Sequence, residues 1–197
     1  SRDGSPMIVP PHPSLARDRV RYVGQPVAVV IADSEAAAVD AAALVEVDIE
    51  PLPAVADLEA ALEPGAPQLF EQMPGNLALD WVQGDHAAVE AAIAGAAHVT
   101  KLRIVNNRVV VAPMEARGAT ASFEDGRFHM HAGCQGVFGL RAQLAGLLKV
   151  PVDRIRVTAG DVGGSFGMKA SAFPEHIPIL HAAKVLGRPV RWVNDRA

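Results

Sequence analysis

The segment Gly160-Asp161-Val162-Gly163-Gly164-Ser165-Phe166-Gly167-Met168-Lys169 joins a predicted strand at residues 155–158 to a predicted helix at about residues 174–186. Its four glycines permit a ligand to approach the backbone closely, and exposed backbone N–H groups are suited to an anionic or oxo-bearing ligand. The Phe166 ring can wedge against a flat ligand. The segment is not a Walker A loop, because no Ser or Thr follows Lys169, and it lacks the G-x-G-x-x-G fingerprint of dinucleotide sites. On glycine content alone, a tight connection between strand and helix explains it equally well.

The sequence on both sides of this segment predicts a protein of the α/β (α+β) class. Residues 119–123 and 127–131 flank a Glu124-Asp125-Gly126 turn, which is typical of a hairpin. Residues 137–148 carry leucines at helical spacing, which predicts a helix. Gly187 is suited to end the helix predicted at about residues 174–186. Further strands are predicted at 27–32 (buried), at 45–49 and at 97–111 (one long strand or two). Further helices are predicted at 36–44, with capping side chains at Asp33 and Ser34, at 56–62, and at 86–93, capped by Asp85.

The domain organisation follows from the Pro/Gly-rich stretch at residues 64–75, which is the best candidate for a boundary. We expect a small β-α-β domain over residues 1–79 and a second α+β domain over residues 80–197. The proline-rich opening and a strand-like close at residues 188–197 favour a fragment, with a native protein whose ends have been processed as the alternative.

Composition excludes several classes of protein. The formal net charge is −4 with a pI near 5.9, and no Lys/Arg cluster stands out, so nucleic acid is not the expected partner. No apolar run is long enough to span a bilayer. The single Cys134 excludes an internal disulfide framework and a cysteine-based iron–sulfur or zinc site within the chain. A cytoplasmic setting is therefore expected.

Several motifs, in order, resemble the large subunits of the xanthine dehydrogenase / aldehyde oxidase / carbon monoxide dehydrogenase family. The glycine-rich segment looks like the family's D-(V/I)-G-G-(G/S)-F-G-x-K motif, and residues 186–196 resemble L-G-R-P-V-(R/K)-W-x-x-D-R. Residues 112–119 and 134–136 resemble two further segments of the first molybdenum-cofactor domain. Residues 20–55 look like the family's small α/β hammerhead domain. The resemblance covers nearly the whole chain from about Val20.

The resemblance implies a molybdopterin cofactor in the full-length protein and assigns cofactor-binding positions. Gln135 matches the glutamine that hydrogen-bonds the oxo or dithiolene region of the cofactor. Phe166 and Gly167 match the pair that approaches the metal's oxygen ligand and borders the substrate pocket. The remaining loop positions are Gly163, Gly164 and Lys169. No catalytic residue and no metal ligand is assigned, because no segment matches the family's catalytic glutamate.

Two positions depart from the family pattern. Ser165 stands where many members have glycine, a variant that the family tolerates. Ala170 stands where xanthine-specific members carry a substrate-binding glutamate, which argues against a purine substrate.

The resemblance implies a subunit fragment that oxidises a small organic molecule, such as an aldehyde or N-heterocycle, with oxygen from water. Electrons would pass to iron–sulfur and flavin subunits or domains. By itself the chain is expected to be inactive and to bind no cofactor, and uncovered apolar surface would favour a homo-oligomer. The alternative is a non-catalytic binding or assembly module that reuses the fold.

Other reactive side chains are interpreted as structural. Cys134 has no base that the sequence can place beside it. His129 and His131 share a strand face without a third metal ligand at diagnostic spacing. His176 and His181 are interpreted as ordinary helix residues.

Overall fold

The computed structural model describes residues 1–107 and 109–196. Contacts divide them into two compact units, one made of residues 1–12 and 47–107, the other of residues 13–46 and 109–196. Arg108, which falls within the strand predicted at residues 97–111, lies outside the described residues. The domain boundary near residue 79 stays a prediction.

Two short helices begin at the capping side chains that the sequence predicts. Helix α1 (Glu35–Ala42) begins after Ser34, whose Oγ accepts a hydrogen bond from the Ala37 N–H at 3.2 Å. Helix α2 (His86–Ala94), in the other unit, is capped by Asp85. Neither helix has a buried residue.

A four-stranded sheet organises the second unit. Its strands are β1 (Gly118–Glu124), β2 (Arg127–Ala132), β3 (Ile155–Thr158) and β4 (Val190–Val193), in the spatial order β3-β2-β1-β4. Strand β1 pairs antiparallel with both β2 and β4, whereas β2 and β3 are parallel.

The connections in this unit follow from local sequence. Asp125 and Gly126 adopt φ values of 49° and 73°, the left-handed pair required by the two-residue hairpin turn between β1 and β2. Helix α3 (Val137–Leu148) makes the crossover between β2 and β3. Helix α4 (His176–Leu186) links β3 to β4 and ends at Gly187, whose φ of 62° confirms the predicted C-terminal cap.

The hydrophobic core lies between the sheet and helices α3 and α4. The largest side chains in it, all less than 2% exposed, are Met130, Leu140, Leu144, Ile155 and Leu180. The mixed α/β class is thereby confirmed.

Three predicted strands are wrong for the described residues. Residues 27–32, 45–49 and the described part of 97–111 have no strand structure, although residues 27–32 are apolar throughout and apolar residues alternate at 45–49. A strand needs a hydrogen-bonded neighbour, and none of these segments pairs with one. Val29 is 44% exposed, so the expected buried strand at 27–32 is not buried either.

The helix predicted at residues 56–62 is reduced to a single 3₁₀ turn, Ala60–Leu62. No helix in the described part of the chain has the length and apolarity needed to cross a membrane.

Candidate functional site

Three segments meet at one edge of the four-stranded sheet. Strands β2 and β3 are parallel, so their carboxyl ends lie at the same edge, where antiparallel β1 begins. Gln135 follows β2, the glycine-rich loop (Gly160–Lys169) follows β3, and Glu115 precedes β1. The carboxyl ends of parallel strands are a common place for a ligand site in α/β proteins.

The apex of the glycine-rich loop presents free backbone donors to solvent. Phe166 and Gly167 have φ values of 51° and 91°, and Gly164 has a φ of 100°. The loop turns tightly, since the Met168 N–H donates to the Ser165 carbonyl at 3.0 Å. Within the described chain, the N–H groups of Phe166 and Gly167 donate to no protein acceptor. Phe166 is 81% exposed.

Ser165 ties Gln135 to this loop. Its hydroxyl donates to Gln135 Oε1 at 2.6 Å and accepts from the Lys169 N–H at 2.8 Å. The backbone N–H of Gln135 donates to the Lys169 carbonyl at 3.0 Å. The side-chain oxygen of Gln135 therefore accepts from Ser165, and its amide NH₂ has no acceptor among the described residues.

Glu115 holds the loop from the other side. Its Oε2 accepts from the Gly163 N–H at 2.9 Å and from Lys169 Nζ at 2.5 Å. The side chain of Lys169 is 2% exposed and that of Glu115 is 39% exposed. The hydrogen bond from Lys169, and then that from Gly163, lowers the pKa of the Glu115 carboxyl below its usual value.

Two glycines leave room for this carboxylate. A Cβ atom at residue 163 would lie 2.7 Å from Cβ of Glu115, and one at residue 133 would lie 3.2 Å from its Oε2. Neither glycine has a positive φ, so the requirement at both positions is one of space. Gly164 combines its positive φ with a close approach to the buried Pro113.

An arginine-centred cluster lies behind the loop. Arg117 Nε donates to Glu175 Oε1 at 2.9 Å, and its guanidinium lies 4.1 Å from the ring centroid of Phe173. His176 is buried and accepts the Phe173 N–H at Nδ1, and burial lowers the pKa of its imidazole. A small cavity is lined by Arg117, Phe173 and His176 together with Cys134 and Lys169.

The structure brings the predicted cofactor-binding positions into one place. Gly163, Gly164, Phe166 and Gly167 form the loop, and Gln135 joins it through Ser165. Sequence analysis missed Glu115 as a partner of the loop and treated Ser165 only as a tolerated variant. Neither contact has a local sequence signal, because the partners are separated by 30 to 54 residues.

His129 and His131 share one face of strand β2. His131 Nδ1 lies 3.1 Å from Thr158 Oγ1, and with His129 it faces away from the core. No cluster of three or more metal-ligating side chains occurs among residues 1–107 and 109–196.

The donor set fits a molybdopterin cofactor. Among the described residues, it consists of the backbone N–H groups of Phe166 and Gly167 and the amide NH₂ of Gln135, none of which donates to a protein acceptor. Such neutral donors suit a ligand rich in oxygen and sulfur acceptors and carrying negative charge. The open space beside Gly167, where a Cβ atom would meet nothing within 4 Å, allows close approach.

Two family descriptions match the sequence in succession. Residues 3–53 match the aldehyde oxidase and xanthine dehydrogenase a/b hammerhead domain. Residues 69–197 match the molybdopterin cofactor-binding domain.

Individual relatives agree with these matches. The 6-hydroxypseudooxynicotine dehydrogenase complex subunit gamma of Paenarthrobacter nicotinovorans is 37% identical over 94% of this chain and 23% of its own length. The carbon monoxide dehydrogenase large chain of Hydrogenophaga pseudoflava is 35% identical over 92% and 24%. The crystal structure of quinoline 2-oxidoreductase from Pseudomonas putida 86 superposes with a TM-score of 0.83 at 37% identity, over 92% of this chain and 23% of that one. The chain thus spans about a quarter of the length of these relatives.

Proposed function

Because the chain belongs to the molybdopterin-binding large subunits of the xanthine dehydrogenase / aldehyde oxidase / carbon monoxide dehydrogenase family, we propose that Gln135 and the glycine-rich loop position the cofactor. The observation that carries this proposal is that the backbone N–H groups of Phe166 and Gly167 donate to no acceptor among the described residues. When bound, the cofactor supplies the redox chemistry.

Each loop residue contributes a distinct physical property. The N–H groups of Phe166 and Gly167 donate hydrogen bonds to acceptors on the cofactor, and the Gln135 NH₂ donates a third. Gly163 and Gly164 keep the loop backbone close to Glu115 and Pro113. The exposed Phe166 ring supplies an apolar wall for the substrate and limits the access of water.

The reaction we propose for the whole protein is oxidation of a small organic substrate with oxygen from water. No described residue of this chain is assigned as the general base, so its part is to bind and orient. Relatives named for nicotine derivatives, quinoline and carbon monoxide leave the substrate class broad. Ala170 provides no carboxylate to a purine.

Electron transfer to iron–sulfur and flavin partners in the cytoplasm completes the proposal. Its support is that one relative is named as a subunit of a dehydrogenase complex and another as a large chain. Because the chain matches only part of its relatives, we expect it to retain no cofactor by itself.

Metal and pterin analysis of the whole protein, with the 197-residue chain analysed beside it, tests the proposal. We expect molybdenum and pterin in the whole protein and neither in the chain alone. Gln135→Ala should lower the cofactor content about tenfold, as loss of a supporting hydrogen bond does at other metal sites. Gln143→Ala is the matched control, because this glutamine of helix α3 accepts from the Ala172 N–H beyond the end of the loop and not from a loop residue. A whole protein that lacks both groups after growth with molybdate would favour the binding-module alternative.

A further inference from the structure

One oxygen atom closes the glycine-rich loop. Glu115 Oε2 accepts from the N–H of Gly163 at one end and from Nζ of Lys169 at the other. The five residues between these contacts include the apex at Phe166 and Gly167. The carboxylate therefore connects the two ends of the segment Gly163–Lys169 without touching its apex.

The position of the carboxylate is itself fixed. The Glu115 N–H donates to the Gly163 carbonyl at 3.1 Å, so backbone and side chain of Glu115 both bond the same glycine. The carboxylate also lies over Gly133, where a Cβ atom would approach it to 3.2 Å. Lys169 is buried, and its ammonium has Glu115 as its hydrogen-bond partner among the described residues. A buried ammonium without such a partner is costly, which keeps the carboxylate in place.

We propose that Glu115 is a positioning residue, whose carboxylate oxygen sets the path of the Gly163–Lys169 loop and so the direction of the Phe166 and Gly167 N–H groups. As regards cofactor binding, this inference rests on the function proposed above. The lowered pKa of Glu115 is consistent with it, since the carboxylate persists over the neutral pH range.

Backbone hydrogen exchange of the loop in the whole protein tests the inference directly, with molybdenum and pterin content as a second measurement. Glu115→Ala should accelerate exchange at the Gly163 and Lys169 amides by about tenfold or more and should lower cofactor content. Glu115→Gln keeps an oxygen acceptor at the same place and should restore most of both. Glu175→Ala is the matched control, because Glu175 is a part-buried carboxylate paired with a cation in the same unit and does not contact the loop.

Lys169→Met tests the contact at one end of the loop separately from the contact at the other end. It should accelerate exchange at Met168 and Lys169 only, since Glu115 still accepts from Gly163. Unchanged loop exchange in Glu115→Ala, or equal acceleration in Glu175→Ala, would overturn the inference. If Glu115→Ala does not fold, faster exchange at residue 169 in Lys169→Met, with the Gly163 amide still protected, supports the inference, and unchanged exchange at residue 169 overturns it.

The two proposals fail in different ways. A wild-type protein without molybdenum and pterin contradicts the proposed function and leaves the exchange result unaffected. A loop that exchanges independently of Glu115 in a cofactor-loaded protein contradicts only the positioning role.

Discussion

Replacing Gly163 by alanine should destabilise the second unit, although alanine usually favours folding over glycine. The new Cβ atom would lie 2.7 Å from Cβ of Glu115, whereas carbon atoms in contact lie about 3.5–4.0 Å apart, so one of the two backbones must move by about 1 Å. That movement stretches the hydrogen bonds of 2.9 Å and 3.1 Å between the two residues.

The magnitude follows from those two bonds. A hydrogen bond to a charged group contributes about 1.5–3 kcal/mol and a neutral one about 0.5–1.5 kcal/mol. The lower entropy of the unfolded alanine chain returns about 0.4–1 kcal/mol. We therefore expect Gly163→Ala to lower the free energy of unfolding by about 2 kcal/mol.

Urea denaturation with a common m-value measures this change. Gly139→Ala and Gly146→Ala are matched controls in helix α3, where a Cβ atom meets nothing within 4 Å. Each control should raise the free energy of unfolding by about 0.5–1 kcal/mol. If Gly163→Ala is as stable as the wild type, or shifts in the direction of the controls, the steric reasoning is refuted.

Three further results are expected. Because burial lowers the pKa of His176, its contribution to stability should be fully present above the unfolded pKa near 6.5 and should be lost as the pH falls through the lower pKa of the folded state. In His176→Asn the midpoint of urea unfolding should depend less on pH. Arg117→Ala should lower the free energy of unfolding, measured by thermal denaturation, by about 1–3 kcal/mol. Asp33→Ala, which removes an exposed ion pair, should change it by less than about 0.5 kcal/mol. The Glu115 carboxyl should titrate below pH 4.5 when followed by carbon NMR, and Lys169→Met should raise its pKa. The contribution of this carboxylate to stability should be present above pH 4.5 and should be lost as the pH falls through the lowered pKa.

Elements with strong local signals were predictable from the sequence. Helix α3 and strand β3 have the predicted bounds, and the caps at Ser34, Asp85 and Gly187 form as expected. A capping side chain or a left-handed glycine acts within a few residues, so the local sequence is enough to predict where the helix begins or ends.

Elements that depend on distant partners were not predictable. The continuous apolar run at residues 27–32 is real, but strand formation also requires a hydrogen-bonded neighbour, which such a run does not specify. At the site, the glycine-rich loop was identifiable by its composition. Its contacts with Glu115 and Gln135 were not, because a hydrogen bond across 54 or 30 residues depends on how the strands are ordered in the sheet.

The central place of β1 has a consequence for the order of assembly during synthesis. Its two neighbours are β2, which follows it directly, and β4, which lies about 70 residues later at Val190–Val193. The hairpin of β1 and β2 can form early, since its loop closes at little entropic cost. The sheet is complete only when β4 has left the ribosome, well after the whole glycine-rich loop. We therefore expect the loop to acquire its final shape late, so that cofactor insertion follows the folding of this unit.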